Sequence, residues 1–401
     1  MDTPATHAAQ SSASDHLMDT YGRLPVAFVS GDGAYLTDTN GRRYLDALSG
    51  IAVCGLGHAH PKVTTALTEQ AGRLLHTSNL YRVPNQETLA HRLCEMSGMD
   101  RVFFGNSGAE ANEAAIKLAR RWGNAQTPAR NQIVVMEGSF HGRTMATLTA
   151  TGSRKVQAGF EPLLPGYVRA PFNDLEAVEQ IGTNTNDVAA VLVEPVLGEG
   201  GVVVPDDHYL PGLRALCDRF GWLLMLDEVQ TGNGRTGRFF AYQHTDVLPD
   251  VVTTAKGLGN GIPIGACLAR GAAADVLSRG THGSTFGGNP LVCAAAQAVL
   301  DVLEGDDLMP RAAALGDRIR ERLSAQLAGS NAVSEVRGKG LMIGIEMTAP
   351  CADLVGAALN RGVLINVTRD NVIRLLPPLI LTDSEADTLA DAVAALILET
   401  S

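Results

Sequence analysis

A single lysine, Lys256, stands between a β-prone run, Asp250-Val251-Val252-Thr253-Thr254, and the segment Gly257-Leu258-Gly259-Asn260-Gly261. Glycines this dense let other groups approach the backbone closely. Upstream, Trp222-Leu223-Leu224-Met225-Leu226 is a continuous apolar run that ends in Asp227-Glu228-Val229-Gln230. A run so short and apolar predicts a buried parallel strand with Asp227 at its carboxyl end, where open α/β sheets bind ligands. Taken singly, Lys256 reads as a solvated surface lysine and Asp227 as a cap or turn residue. Together, at the ends of two such strands, they suggest an amine that attacks a carbonyl and a carboxylate that faces a pyridinium nitrogen.

Other segments could serve the same chemistry. Gly105-Asn106-Ser107-Gly108-Ala109-Glu110-Ala111-Asn112-Glu113 follows the strand-like Arg101-Val102-Phe103-Phe104 and leads into an Ala/Leu-rich helix. Free N–H groups, the helix dipole and the Ser107 hydroxyl make such a turn an anion site, or simply an N-cap. In Phe140-His141-Gly142-Arg143-Thr144 the ring of Phe140 suits a pyridine face or a core contact. Arg143 there suits a carboxylate or a surface ion pair. Glu199 lies in the loop Gly198-Glu199-Gly200-Gly201, as a solvated charge or a functional one. Ser284 and Thr285 precede two glycines, and Arg374 precedes a double proline that fixes the chain. His58 and His60 have no carboxylate beside them in the sequence, and a helix initiated at Pro61 accounts for them better than a metal does.

The elements that must position these residues alternate. Apolar spacing predicts helices over 63–75, 87–96, 109–121, 211–220, 291–304, 311–327, 352–361 and from 384 onward. Buried strands are expected at 132–136, 188–193, 222–226 and 251–254, and Thr39-Asn40-Gly41-Arg42 reads as a hairpin turn. Strands alternating with helices imply an α/β fold with a mainly parallel sheet covered on both faces. At 401 residues two domains are expected. A net charge of -11 argues against a nucleic-acid partner. Six scattered cysteines without a CxxC pair indicate a reducing, cytoplasmic setting. No apolar run is long enough for a membrane span, and residues 1–16 lack signal-peptide character and are expected to be a mobile tail.

The motifs Leu226 to Gly232 and Thr254 to Gly261, in order with those above, resemble the class III pyridoxal-phosphate aminotransferases from about Tyr21 to the end. The resemblance implies a fold type I transferase: a large domain with a mainly parallel seven-stranded sheet, residues 59–304, and a small α+β domain built from 17–58 and 305–401. It implies pyridoxal 5'-phosphate bound by Ser107, Gly108, Ala109, Phe140, Asp227, Gln230 and Lys256, with Lys256 catalytic and no metal. It further implies a homodimer with active sites at its interface, where Thr285 reaches the neighbouring subunit's phosphate and Ser284 its substrate tail. Arg143 would take the substrate α-carboxylate, and Arg374, paired with Glu199, the second carboxylate. The bacterial branch that Tyr21 to Pro25 and Leu48 to Val53 resemble implies transfer of the terminal amine of N2-acetyl-L-ornithine to 2-oxoglutarate. Relatives acting on ornithine, succinylornithine, succinyldiaminopimelate or 4-aminobutyrate share these motifs, and an aminomutase shares the fold.

Overall fold

A computed structural model describes residues 16–400, so the expected tail, but for its last residue, lies outside the described residues. The strands in chain order are β1 (Phe28–Asp32), β2 (Tyr35–Asp38), β3 (Arg43–Asp46), β4 (Arg101–Gly105), β5 (Gln132–Met136), β6 (Tyr167–Ala170), β7 (Val188–Val193) and β8 (Leu223–Asp227). They continue with β9 (Val251–Thr254), β10 (Gly265–Ala269), β11 (Val333–Lys339), β12 (Met342–Met347), β13 (Val363–Leu364), β14 (Asn366–Thr368) and β15 (Val372–Leu375).

Seven of these form the central sheet, in the order β4-β10-β9-β8-β7-β5-β6. Its strands run parallel except β10, which is antiparallel to both neighbours, β4 and β9. The apolar runs are continuous because both faces are covered, while alternate residues still divide between those faces. Ile133, Val135, Leu192, Leu223 and Met225 pack with Ala114, Ala115, Leu118 and Ala119 of the helix Gly108–Asn124. Val134, Met136, Val191, Val193, Leu224 and Leu226 join the opposite core with Leu210, Leu213 and Cys217 of the helix Tyr209–Phe220. Asp227 continues the first series, so alternation aims it at the face covered by Gly108–Asn124.

A second sheet, β1-β2-β3-β13, joins the N-terminal strands to the C-terminal part through the parallel pair β3 and β13. A third, antiparallel, has the order β11-β12-β15-β14 and carries Arg374 in β15.

Several elements depart from the sequence expectation. Strands β6 and β10 and the helix Leu175–Asn184 were not expected. The first, Tyr-Val-Arg-Ala at the sheet edge, mixes polar and apolar residues; the second, Gly-Ala-Cys-Leu-Ala, is made mostly of small ones. The first helix, expected over 63–75, stops at Ala71. The hairpin turn is not a two-residue Asn-Gly turn. Asp38 N–H donates to Arg42 O at 2.9 Å, and Gly41 alone takes a left-handed φ of 80°. The Asp38 carboxylate accepts from the N–H groups of Asn40 and Arg42, which fixes this longer loop.

Candidate active site

Asp227 is buried at the end of β8, and its oxygens are fully engaged on the protein side. Oδ2 accepts from Asn112 Nδ2 and from His141 Nδ1, each at 2.7 Å, and Oδ1 accepts from Val229 N–H at 3.0 Å. Asn112 sits on the helix Gly108–Asn124 and takes Thr253 Oγ1 on its own Oδ1 at 2.7 Å. Because β8 and β9 pair in parallel with Asp227 opposite Thr253, that hydroxyl arrives beside the carboxylate, and Lys256 follows one turn later. His141 Nε2 is buried without a partner among the described residues, so the ring's hydrogen belongs on Nδ1, facing Asp227.

Asp227 and Lys256 share one cavity of about 410 Å³. Burial, and then the nearby Arg374 guanidinium, lower the Lys256 amine from 10.5 to about 8, against the pull of the carboxylates Glu199, Asp227 and Glu194. An amine so shifted is still mostly charged at pH 7, but about a tenth of it is unprotonated there, far more than of an ordinary lysine, and that form can attack a carbonyl or take a proton.

Opposite, the turn before the helix Gly108–Asn124 forms an anion cradle. Ser107 is the extended N-cap, with φ -156°, and its Oγ accepts from Glu110 N–H at 3.2 Å. Glu110 reaches back one residue beyond the N-cap, its Oε2 accepting from the N–H and the Nδ2 of Asn106, each at 2.8 Å. The N–H groups of Gly108 and Ala109 remain without a partner among the described residues, at the positive end of the helix. Close packing demands glycine here: a Cβ on Gly265 of β10 would lie 2.2 Å from Ser107 O, and one on Gly108 2.7 Å from Val229. A flat, phosphorylated, ring-nitrogen cofactor fits this donor set: N–H groups for its phosphate, a carboxylate for its nitrogen and an amine for its aldehyde.

Phe140 and Arg143 line the same cavity, with the guanidinium 5.7 Å from the ring centroid. Glu199 and Gln230 line it too. Arg374, fully buried, lies behind them: Nη1 donates to Glu199 Oε1 at 2.6 Å and to Gln230 Oε1 at 3.2 Å. Its Nε reaches Asn366 Oδ1 at 3.2 Å, and its buried Nη2 has no partner among the described residues. Burial alone would raise the Glu199 carboxyl, but Arg374, joined by Lys256 and Gln230, holds that group below its ordinary value.

Ser284 borders the site only through Asn106, whose Nδ2 donates to its Oγ at 3.2 Å. Thr285 is exposed and lines no part of this chain's cavity. The sequence reading missed Asn112, His141, Glu194 and Val53. The first two stand inside motifs already singled out, and only their neighbours had been given roles. Glu194, at the end of β7, accepts from Phe140 N–H at 2.8 Å and Gly198 N–H at 3.0 Å, and burial raises its carboxyl.

Val53 enters the cavity from a left-handed turn, Ser49 to Ala52, with φ between 50° and 66°. Only Gly50 adopts this freely; a non-glycine residue there costs about 1–2 kcal/mol. Asp46 offsets the cost, its Oδ1 accepting from Leu48 N–H at 2.9 Å and Ser49 N–H at 2.8 Å. The tertiary fold thus gives His58 the carboxylate its sequence neighbours lack: Nε2 lies 2.8 Å from Asp46 Oδ2, and hydrogen bonding to Asp46 and then Cys54 raises the imidazole to about 9. His60 is the N-cap residue of the helix Pro61–Ala71. Among the described residues no cluster of side chains could hold a metal ion, and no helix is long and apolar enough to cross a membrane.

Glu228 supports the loop behind the site. Its carboxyl accepts from Tyr242 N–H at 3.0 Å, pairs with the Thr231 hydroxyl, and is raised by burial to about 7. Between the ordinary 4.5 and about 7 the native state keeps a proton that the unfolded chain releases. Stability therefore falls as pH rises through that window, at about 1.4 kcal/mol per unit at the steepest. The substitution Glu228→Gln, which keeps the size of the side chain and removes its titration, is expected to flatten the urea-unfolding profile of the cofactor-free protein between those values. An unchanged slope would assign the proton elsewhere.

The sequence profile of the family "Aminotransferase class-III" matches residues 18–397. The chain belongs to the class-III aminotransferases. Among relatives of this class-III chain, an acetylornithine aminotransferase of Nitrosomonas europaea is 57% identical over 382 residues, covering 95% of this chain and 97% of that one. The crystal structure of the ornithine aminotransferase from Toxoplasma gondii superposes with a TM-score of 0.94 at 36% identity, covering 98% of this chain and 94% of that one. That of N-acetylornithine aminotransferase from Stenotrophomonas maltophilia gives 0.84 at 37%, covering 97% and 98%. The seven-stranded α/β architecture is thus that of its class-III relatives.

Proposed function

We propose that this class-III aminotransferase moves the terminal amino group of N2-acetyl-L-ornithine to 2-oxoglutarate, giving N-acetyl-L-glutamate 5-semialdehyde and L-glutamate, as in arginine biosynthesis. The observation that carries this reading is the near full-length similarity to an acetylornithine aminotransferase, 57% identical over 95% of the chain. The cofactor is pyridoxal 5'-phosphate. When bound, it supplies an aldehyde that carries the amino group and a protonated ring that takes up the electron pair left by a departing proton.

The chain's own residues do the rest. Asp227, oriented by Asn112 and His141, would hold the proton on the ring nitrogen, and Phe140 would offer its face to the ring. Ser107, Gly108 and Ala109 would hold the phosphate, and Gln230 would serve the phenolic oxygen. Lys256 would hold the aldehyde group of the cofactor and is the residue placed to move a proton at the carbon bearing the amine. Arg374 takes the carboxylate of the 2-oxo acid once Glu199 releases it, and Glu199 covers its charge when the acylated amine is bound.

The enzyme works as a cytoplasmic homodimer, Ser284 and Thr285 of each subunit completing the neighbour's site. Residues 59–304 form the cofactor-binding domain, and 17–58 with 305–401 the small domain; the β3–β13 pairing supports that grouping.

The test is kcat/KM for acetylornithine, ornithine, succinylornithine and 4-aminobutyrate, measured as glutamate formed from 2-oxoglutarate. Acetylornithine is expected to lead; no glutamate with any of them would end the proposal. Arg143→Ala is expected to raise KM for acetylornithine roughly ten- to a hundredfold, the worth of a charged hydrogen bond. It should leave residual turnover of 4-aminobutyrate, which lacks an α-carboxylate, unchanged. Equal losses on both substrates would remove Arg143 from this role.

A further inference from the structure

Lys256 has a left-handed backbone, φ 45°, which an L-residue with a long side chain disfavours. Ala255 before it is extended, with φ -167° and ψ -137°. A left-handed lysine persists only where its surroundings over-determine it. Leu258 N–H donates to Ala255 O at 2.9 Å, closing the turn from the far side. From the near side comes Asn233, in the loop that follows Asp227. It is buried, and Nδ2 donates to Thr254 Oγ1 at 2.9 Å and to Ala255 O at 3.0 Å.

Two further features mark this amide as costly to keep. Asn233 is itself left-handed, φ 56°, and its Oδ1 is buried with no partner among the described residues. An apolar side chain of the same size would remove that orphan acceptor, offsetting the two hydrogen bonds it gave up. Asparagine tolerates a left-handed φ better than most residues, so the backbone accounts for the residue type, and the two hydrogen bonds fix where its amide points. Gly257 packs against it so closely that a Cβ would lie 3.1 Å from Asn233 Cβ, so the lysine turn cannot slide toward the loop.

We propose that Asn233 is a positioning residue for Lys256: its amide ties the loop after Asp227 to the peptide preceding the lysine and fixes where the ε-amine enters the cavity. This rests on the transaminase reading of Lys256. The consequence is geometric. A proton-transfer group displaced by about an ångström can lose on the order of a hundredfold in rate while substrate binding is untouched. Asn233 does not line the cavity, so it acts only through the backbone it holds.

The experiment compares holoenzymes of wild type and Asn233→Leu. Expected is a kcat lowered roughly ten- to a hundredfold, with both KM values within about threefold of wild type. The primary deuterium isotope effect, read with substrate labelled at the carbon that loses its proton, should rise, because proton transfer by Lys256 becomes the slow step. Starting from cofactor-free protein, the rate at which added pyridoxal phosphate becomes trappable on Lys256 by borohydride should also fall by roughly tenfold, a readout independent of turnover. An unchanged kcat overturns the proposal, as does a lowered kcat with isotope effect and trapping rate unchanged. Should Asn233→Leu not fold, Thr254→Val, which frees one proton of the same amide, is expected to give a smaller loss with the same rise in isotope effect; no rise overturns it. Wild-type protein that forms no glutamate would defeat the functional reading, and the trapping rate would still decide the role of Asn233.

Discussion

Lys256→Ala is expected to lower kcat for glutamate formation by about 10⁴-fold or more, at the top of the range for a lost general acid–base group. The side chain is assigned two tasks at one atom: the covalent link and the proton transfer. No other amine among the cavity-lining residues can take over; the remaining cation there, Arg143, cannot give up a proton. Substrate affinity should change much less, because the carboxylate-binding arginines stay in place. Small primary amines added to the medium should restore part of the rate, since truncation leaves room where the ε-amine stood. The cofactor-free variant should also be more stable than wild type near pH 7, where the native state holds a charged amine whose pKa has been lowered to about 8. A rate within tenfold of wild type, measured by coupled glutamate assay, would remove the lysine from the chemistry.

The second large effect is expected from Asp227→Asn. A carboxylate about 4 Å from a ring proton in a partly shielded site contributes on the order of 4 kcal/mol, or about 10³-fold in kcat. The substitution keeps the shape and removes the charge, yet it also sets an amide among three donors. Asn112 Nδ2, His141 Nδ1 and Val229 N–H all point at the present oxygens. One of them must then face an NH₂ group, and the orientation of the residue is lost along with its charge. The loss should appear in kcat, accompanied by a changed absorption spectrum of the bound cofactor as its ring nitrogen loses its proton. A normal spectrum with normal kcat would show that Asp227 does not face the ring.

The largely apolar runs at 132–136, 188–193, 222–226 and 251–254 announce buried strands because covering a sheet on both faces leaves few polar positions in them, and Thr253 and Thr254, the polar ones at the site, are hydrogen-bonded. Their carboxyl ends, in an alternating α/β chain, face the ligand crevice, which is how Asp227 and the Lys256 segment could be picked out. Gly105 to Glu113 was legible as an anion turn because N–H groups at a helix start are unsatisfied wherever such a turn occurs. Missed elements have equally physical causes. Strand β10 is written in glycine, alanine and cysteine since its Gly265 passes directly beneath the Ser107 turn, and small residues leave no periodic signal.

The sequence by itself determined which residue types could do the chemistry, and that they lie at strand ends and helix starts, because local propensity and apolar patterning depend on near neighbours alone. Only the tertiary structure decided their partners. It placed Asn112 and His141 on one oxygen of Asp227, Arg374 against Glu199 across 175 positions of chain, and Asn233 under the lysine turn. It also lowered the lysine amine and raised Glu194 and Glu228, since burial arises from every element that packs around a group. Hydrogen bonds between distant segments leave no period in the chain; they exist once the sheet order has brought the strand ends together.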